Sequence, residues 1–308
     1  MKIIFNSNLD DPAEWIPELK ARMPELEVEV WPDIADPRAI DAALIWTQPP
    51  DGLKGYPNLK AILSLGAGIN QLDLASLPQG VPLARLIDPA LTEAMKDFCL
   101  YAALRYQRQF DDHAAAQAQR KWIYRQPRAK AQTRVGVMGL GELGGAAARA
   151  LADLGFAVRG WARTSKSIDR VRCFTGAEGL EPFARETDIL ICLLPLTAAT
   201  RGILNKTLFR MLPTGARLVN PGRGAHLIEA DLLTALETGR IAHAMLDVFS
   251  QEPLPPEHPF WSHPKIVVTP HVASFCTAVS AAPVLVENFH RAMAGRPLLN
   301  QVDLDRGY

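Results

Sequence analysis

The segment Arg134-Val135-Gly136-Val137-Met138-Gly139-Leu140-Gly141-Glu142-Leu143-Gly144 constrains this chain more than any other. Strand-forming residues pass into G-x-G-x-x-G and then into an alanine-rich stretch with helical spacing. Gly139 permits a tight turn, Gly141 lets the backbone approach a pyrophosphate, and Gly144 lets the helix pack on the strand. The helix start then offers free N–H groups and a positive dipole end to a phosphate. The bare glycine pattern is a weak signal, but here strand and helix flank it at the required places. The reading is a dinucleotide-binding βαβ unit lined by Gly139, Leu140, Gly141, Glu142, Leu143 and Gly144.

Alternating patterns extend this unit in both directions. Upstream, Lys2–Phe5, Val28–Val30, Ala42–Trp46 and Ala61–Leu65 read as strands separated by helical or irregular stretches. Downstream, strands are expected at Arg134–Met138, Ala157–Trp161, Asp188–Leu193, Arg217–Asn220, Ala242–Leu246 and Ile266–Val268. Helices are expected at Glu142–Leu154, Leu180–Glu186, Glu229–Glu237 and Ala278–Ala294. This alternation is the signature of α/β folds with parallel sheets. Between the two sets, Leu91–Trp122 contains neither Pro nor Gly. It reads as one long helix or two in series, with Thr92 near its cap.

The end of the second strand of the dinucleotide unit selects the cofactor. An acid there accepts hydrogen bonds from a ribose 2′-hydroxyl, the NAD pattern. The aligned position here is Ala162, followed by Arg163, Thr164, Ser165 and Lys166. An acid would repel a 2′-phosphate. Arg163 can grip one bidentately, and Thr164 or Ser165 can donate to it. NADPH is the expected cofactor, with NAD the alternative, and a plain solvated basic turn is the bland reading.

Three motifs follow predicted strands, where ligands sit in open α/β sheets. Asn220-Pro221-Gly222-Arg223-Gly224 offers a guanidinium that can bind a carboxylate and polarise a carbonyl. Asp247-Val248-Phe249-Ser250-Gln251-Glu252-Pro253 supplies two carboxylates, and Thr269-Pro270-His271-Val272-Ala273 a histidine. Carbonyl reduction needs a proton for the developing alkoxide, and His is the natural donor near neutral pH. A neighbouring carboxylate, Glu252, would orient the ring and favour its charged form. Each residue alone is unremarkable: such an Arg is often solvated, and such a His is usually structural.

Composition removes other classes. The 308 residues fit two domains. With 33 Lys plus Arg against 33 Asp plus Glu, no net charge draws the chain to nucleic acid or an anionic membrane. Cys99, Cys173, Cys192 and Cys276 form no C-x-x-C pair, so neither a metal nor a redox motif is expected, and free thiols in a reducing compartment are. The N-terminal ten residues read as a strand rather than a signal peptide. No apolar run approaches a membrane span. A cytoplasmic protein is expected.

Taken together, the glycine loop, the Arg-Gly pair at Arg223, D-V-F-x-x-E-P-L-P at Asp247–Pro255 and T-P-H-x-A at Thr269–Ala273 resemble the D-isomer-specific 2-hydroxyacid dehydrogenase family. The resemblance implies that Arg223, Glu252 and His271 are catalytic. It implies a cofactor site that also takes in Leu194, Pro195, Pro221, Gly222 and Asp247. Leu65-Gly66-Ala67-Gly68-Ile69-Asn70 resembles the family's substrate loop, giving Gly66, Ala67, Gly68 and Arg223 as substrate-binding residues. Two departures are Asn70 for the usual Asp and Pro221-Gly222 for the common small pair. Within the family the chain is most similar to bacterial reductases of glyoxylate and hydroxypyruvate. The likeness runs through Ala43–Trp46, Arg108–Asp112, Trp161–Lys166, Arg223–His226 and the ending Gln301–Tyr308. In those reductases an aromatic at the position of Trp46 lies near the substrate; core packing is the alternative for this Trp.

The implied architecture is a pair of Rossmann-like or flavodoxin-like domains. A discontinuous substrate domain would take residues 1–95 and 274–308, and an NADP-binding domain 96–273. A homodimer with the 91–122 helix in its interface is implied as well. Competing readings are a phosphoglycerate-type or broad 2-oxo-acid dehydrogenase and a non-catalytic dinucleotide-sensing protein. The first usually carries an acid in place of Ala162, and the second an extra interaction tail.

Overall fold

A computed structural model describes residues 1–304; the last four residues of the Gln301–Tyr308 ending lie outside it. The chain divides into two compact units, Met1–Leu91 with Cys276–Tyr308, and Thr92–Phe275. Both are α/β, with wholly parallel sheets.

The first unit opens with β1 (Lys2–Asn6), α1 (Pro12–Arg22), β2 (Glu27–Val30), β3 (Ala42–Ile45), β4 (Ala61–Ser64) and β5 (Leu83–Ala84). Its sheet order is β2-β1-β3-β4-β5, the flavodoxin-like order. β3 and β4 are buried at every position. Their unbroken runs Ala-Ala-Leu-Ile and Ala-Ile-Leu-Ser are what a strand covered on both faces requires. α1 starts where the Asp11 carboxylate accepts from the Ala13 N–H at 2.8 Å, a cap that satisfies an otherwise orphan donor.

The second unit carries α2 (Pro89–Gln107), which begins on the last residues of the first, and α3 (Phe110–Ala118). β6 (Arg134–Met138), α4 (Glu142–Asp153), β7 (Ala157–Ala162), β8 (Val171–Thr175), α5 (Gly176–Arg185) and β9 (Ile189–Cys192) follow. The unit ends with α6 (Lys206–Met211), β10 (Ala216–Asn220), α7 (Glu229–Glu237), β11 (Ile241–Leu246) and β12 (Ile266–Val268). The sheet order is β12-β11-β10-β9-β6-β7-β8. Strand addition reverses between β6 and β9, so a crevice opens at their carboxyl ends, the usual ligand position of a doubly wound sheet.

α8 (Ala278–Met293) returns the chain to the first unit. Its inward face, with Ala281, Ala282, Leu285 and Phe289, joins Ile3, Phe5, Leu19, Leu44 and Leu63 in one core. The Ser280 hydroxyl donates to the buried Asp88 carboxylate at 2.6 Å. The Val302 N–H donates to the Leu83 carbonyl at 2.8 Å.

Of the two readings of the 91–122 stretch, two helices in series is the one observed, with Gln109 in a left-handed backbone (φ 58°) between them; its bounds and its cap are corrected, and one strand is added. The Asp111 carboxylate reaches back to Arg105 across that break at 2.9 Å. Trp122 lies beyond both helices and is 99% exposed. Thr92 is not near the cap: α2 begins at Pro89, and the Asp88 carboxylate accepts from the Ala90 N–H at 3.1 Å, with Pro suited to the first helical position. β8 was not anticipated. Val-Arg-Cys-Phe-Thr is an edge strand with only Val171 buried, and such a strand lacks the apolar run that marks a central one.

Candidate active site

The glycine loop joins β6 to α4. Gly139 has φ +94°, and a Cβ there would run into the Leu193 carbonyl. A Cβ on Gly144 would overlap the Gly139 carbonyl. These two glycines are demanded by the fold itself. Gly141 differs: a Cβ there would meet no protein atom within 4 Å. Gly141 also caps α4 without any side-chain hydrogen bond, leaving the first-turn N–H groups of a twelve-residue helix to an outside acceptor. Empty space over an uncapped helix start suits a pyrophosphate. At the end of the neighbouring β7, Ala162 is buried, while Arg163, Thr164, Ser165 and Lys166 are all exposed. The residues present therefore fit a dinucleotide bearing a 2′-phosphate. Leu194 is buried and Pro195 exposed in the loop after β9, and Pro221 and Gly222 are buried after β10.

The loops after β10, β11 and β12 bring together three of the expected side chains. After β10, the Asn220 side-chain amide donates to the Arg223 carbonyl at 3.1 Å, and the Gly222 N–H donates to the Asn220 side-chain oxygen at 3.3 Å. The Arg223 Nη1 donates to the Gly222 carbonyl at 2.7 Å. Gly224 lies directly on the Phe249–Ser250 backbone, which a Cβ would overlap. The Arg-Gly pair thus allows the Arg223 loop to touch the loop that carries Glu252. Burial pulls the Arg223 guanidinium below its usual pKa, and the Glu252 charge opposes that pull.

Glu252 accepts from the Phe249 N–H through Oε1 at 2.8 Å. Its Oε2 meets His271 Nδ1 at 2.7 Å. A carboxylate only accepts, so Nδ1 carries a proton and donates. Burial alone would raise the Glu252 carboxyl. The hydrogen bonds from His271 and Phe249 and the charges of His271 and Arg223 outweigh it and hold the group below its ordinary range. Glu252 is thus an anion at neutral pH, suited to steadying an imidazolium.

His271 itself has a left-handed backbone, φ 57°, costly for a residue with a Cβ. Asp247 compensates. Expected in the cofactor site, it is fully buried, and both its oxygens are taken by the histidine loop. Oδ1 accepts from the Thr269 hydroxyl at 2.6 Å and the Val272 N–H at 2.9 Å, and Oδ2 from the Ala273 N–H at 2.9 Å. The Asp247 carbonyl accepts the His271 N–H at 2.8 Å. The sequence carries no signal for this clamp, since neither the burial of Asp247 nor the left-handed backbone of His271 can be read from residue types and spacing.

The remaining expected residues lie in the first unit. Trp46 follows β3 and Gly66-Ala67-Gly68 follows β4, again at carboxyl ends of parallel strands. A Cβ on Gly66 would come 2.5 Å from Trp46 Cζ3, so the indole rests on this glycine. The Gly66 carbonyl accepts from the Leu86 N–H at 3.0 Å. Among the described residues no group of three or more His, Cys, Asp or Glu is placed to hold a metal ion.

Comparison with known proteins identifies the family of this fold. The family model described as D-isomer specific 2-hydroxyacid dehydrogenase, NAD binding domain, matches residues 100–273. A glyoxylate/hydroxypyruvate reductase A of Yersinia enterocolitica is 40% identical, with both chains covered in full. A D-isomer specific 2-hydroxyacid dehydrogenase of Xanthobacter autotrophicus, solved with NADPH and MES, is 43% identical with a TM-score of 0.95, covering 100% of this chain and 99% of that one. An NADPH-dependent glyoxylate/hydroxypyruvate reductase of Sinorhizobium meliloti, solved with NADP and sulfate, is 37% identical with a TM-score of 0.92, at 100% and 99% coverage. Fold and site define a dinucleotide-dependent α/β oxidoreductase with an Arg, a Glu and a His at the carboxyl end of its sheet. The chain belongs to the D-isomer specific 2-hydroxyacid dehydrogenase family.

Proposed function

We propose that this protein reduces small 2-oxo acids with NADPH, converting glyoxylate to glycolate and hydroxypyruvate to D-glycerate. The observation that carries the reading is the 2.7 Å contact between His271 Nδ1 and Glu252 Oε2 on loops adjoining Arg223. NADPH, when bound, supplies the hydride that goes to the carbonyl carbon. Gly139–Gly144 would hold its pyrophosphate and Arg163–Lys166 its 2′-phosphate, with Leu194, Pro195, Pro221 and Gly222 along its length. Arg223 binds the oxo acid and draws charge toward the carbonyl oxygen. His271, charged and steadied by Glu252, gives that oxygen its proton. Asp247 serves the cofactor side through the loop it clamps. Trp46 and the Gly66-Ala67-Gly68 amides of the first unit supply substrate contacts, and the second unit supplies the cofactor contacts. The names of the Yersinia and Sinorhizobium relatives support the choice of substrate and cofactor.

We further propose a cytoplasmic homodimer. Four free cysteines fit a reducing compartment, and the exposed aromatics after α3 fit a protein interface. Initial rates with a panel of 2-oxo acids and both reduced nicotinamides test the function. Glyoxylate and hydroxypyruvate with NADPH should lead the panel. A preference for phenylpyruvate, or for NADH, would overturn the corresponding half of the proposal.

A further inference from the structure

His226 closes a one-turn 3-10 helix, Gly224–His226, immediately after Arg223. It is fully buried. Its Nδ1 accepts from the Arg223 N–H at 3.2 Å, and its Nε2 lies 3.3 Å from the Pro195 carbonyl. An amide N–H only donates and a carbonyl only accepts, so one tautomer satisfies both contacts: Nδ1 bare, Nε2 protonated. The ring therefore bridges the loop after β10 to the loop after β9. The Thr200 hydroxyl also donates to the Pro195 carbonyl, at 2.6 Å, fixing the far end. The near end is fixed by close approach, since a Cβ on Gly222 would stand 3.3 Å from Nδ1. The position of the His226 backbone is pinned too: its carbonyl accepts from the Leu204 N–H at 2.9 Å.

We propose that His226 is a positioning residue, a neutral imidazole strut that fixes the Arg223 guanidinium relative to the Pro195 wall of the cofactor site. This rests on the function proposed above, in which Arg223 takes the oxo acid. A protonated ring cannot do the same work, because its Nδ1–H would face the Arg223 N–H. The charged groups near the ring, Arg223 and Arg201, both disfavour the imidazolium. Burial, the larger cause, and those charges bring the pKa to about 4 against the opposing backbone contacts. The strut therefore stays intact through neutral pH and fails only in acid.

The test compares wild type, His226→Phe and His226→Asn. Phe keeps a flat ring but pairs neither partner; the Asn side-chain oxygen can replace Nδ1 as the acceptor for Arg223. His226→Phe should lower kcat/KM for glyoxylate roughly 10- to 100-fold, with the NADPH dissociation constant changed less than about threefold. His226→Asn should recover most of the loss. Equal losses for acid and NADPH, or no rescue by Asn, would mean a merely structural residue. In the wild type, nitrogen-15 imidazole NMR should show one ring, missing in His226→Asn, that stays in the Nε2–H form to below pH 5. Titration of that ring near pH 6.5 overturns the strut whatever the kinetics, and this measurement stands even if His226→Phe fails to fold. If wild type reduces no 2-oxo acid, the proposed function falls, while the NMR still decides the bridge.

Discussion

Arg163 stands one residue past Ala162, at the exposed end of β7, where a side chain can reach the ribose of a bound dinucleotide. Arg163→Ala should raise KM for NADPH far more than for NADH. A charge-assisted phosphate contact is worth about 1.5–3 kcal/mol, or roughly 10- to 150-fold. Equal effects on the two cofactors would remove Arg163 from the phosphate site. The His271–Glu252 pair makes a prediction with a definite sign. Glu252, held below its ordinary range, is an anion at neutral pH and orients the ring that gives the proton. Glu252→Gln keeps the shape but removes the anion, and should lower kcat on the order of 10-fold or more at neutral pH, with NADPH binding little changed. His271→Ala should cost on the order of 10²–10⁴ in turnover, with NADPH binding little changed. Wild-type turnover in Glu252→Gln would sink the pairing. The types and spacing of Arg223, Glu252 and His271 were legible in the sequence because carbonyl reduction needs that chemistry. The inward turn of the Asp247 carboxylate was not, since strand spacing places a side chain at a strand end without saying which loop will need its oxygens.

Two glycines separate what an element needs for folding from what a ligand needs. Gly224 touches the Phe249–Ser250 backbone, and a Cβ there displaces main chain rather than a flexible side chain. Gly224→Ala should lower stability by about 1–3 kcal/mol, as overpacking does, and should lower kcat because Glu252 rides on the displaced loop. Gly141 has open space where its Cβ would go. Gly141→Ala should cost the free protein less than about 1 kcal/mol, yet weaken NADPH binding at least tenfold. Thermal unfolding with and without NADPH checks both. A large loss of stability in nucleotide-free Gly141→Ala would contradict the open cradle. At this scale β6 and β12 match the sequence reading residue for residue, because their apolar runs are short and bounded by turn residues. The position of the break at Gln109 escaped it: no Pro or Gly marks the site, and the turn is held by the Arg105–Asp111 ion pair across it.

For the whole molecule, the stretch following α2 is the feature that a single chain leaves unexplained. Phe110, Ile123, Tyr124 and Trp122 are 54%, 41%, 86% and 99% exposed. Isolated apolar residues on a surface are ordinary, but four within fifteen residues, three of them consecutive, fit the contact of the proposed homodimer. Lys121 and Arg125 bracket the consecutive three, the polar rim that protein interfaces show. Aromatic side chains are the usual energetic centre of such interfaces, and removing one from a packed centre costs about 2–4 kcal/mol. In the proposed homodimer each partner buries this stretch, so Trp122→Asp with Tyr124→Asp should weaken association by three or more orders of magnitude. Sedimentation velocity at micromolar concentration should find wild type at twice the 33.8 kDa chain mass and the double variant at the single mass. The glycine loop, Arg223, Glu252 and His271 carry no substitution, so circular dichroism and NADPH binding should report an intact second unit. A wild type that sediments at the single mass, or a double variant that still sediments at twice it, would refute this surface as the dimer contact.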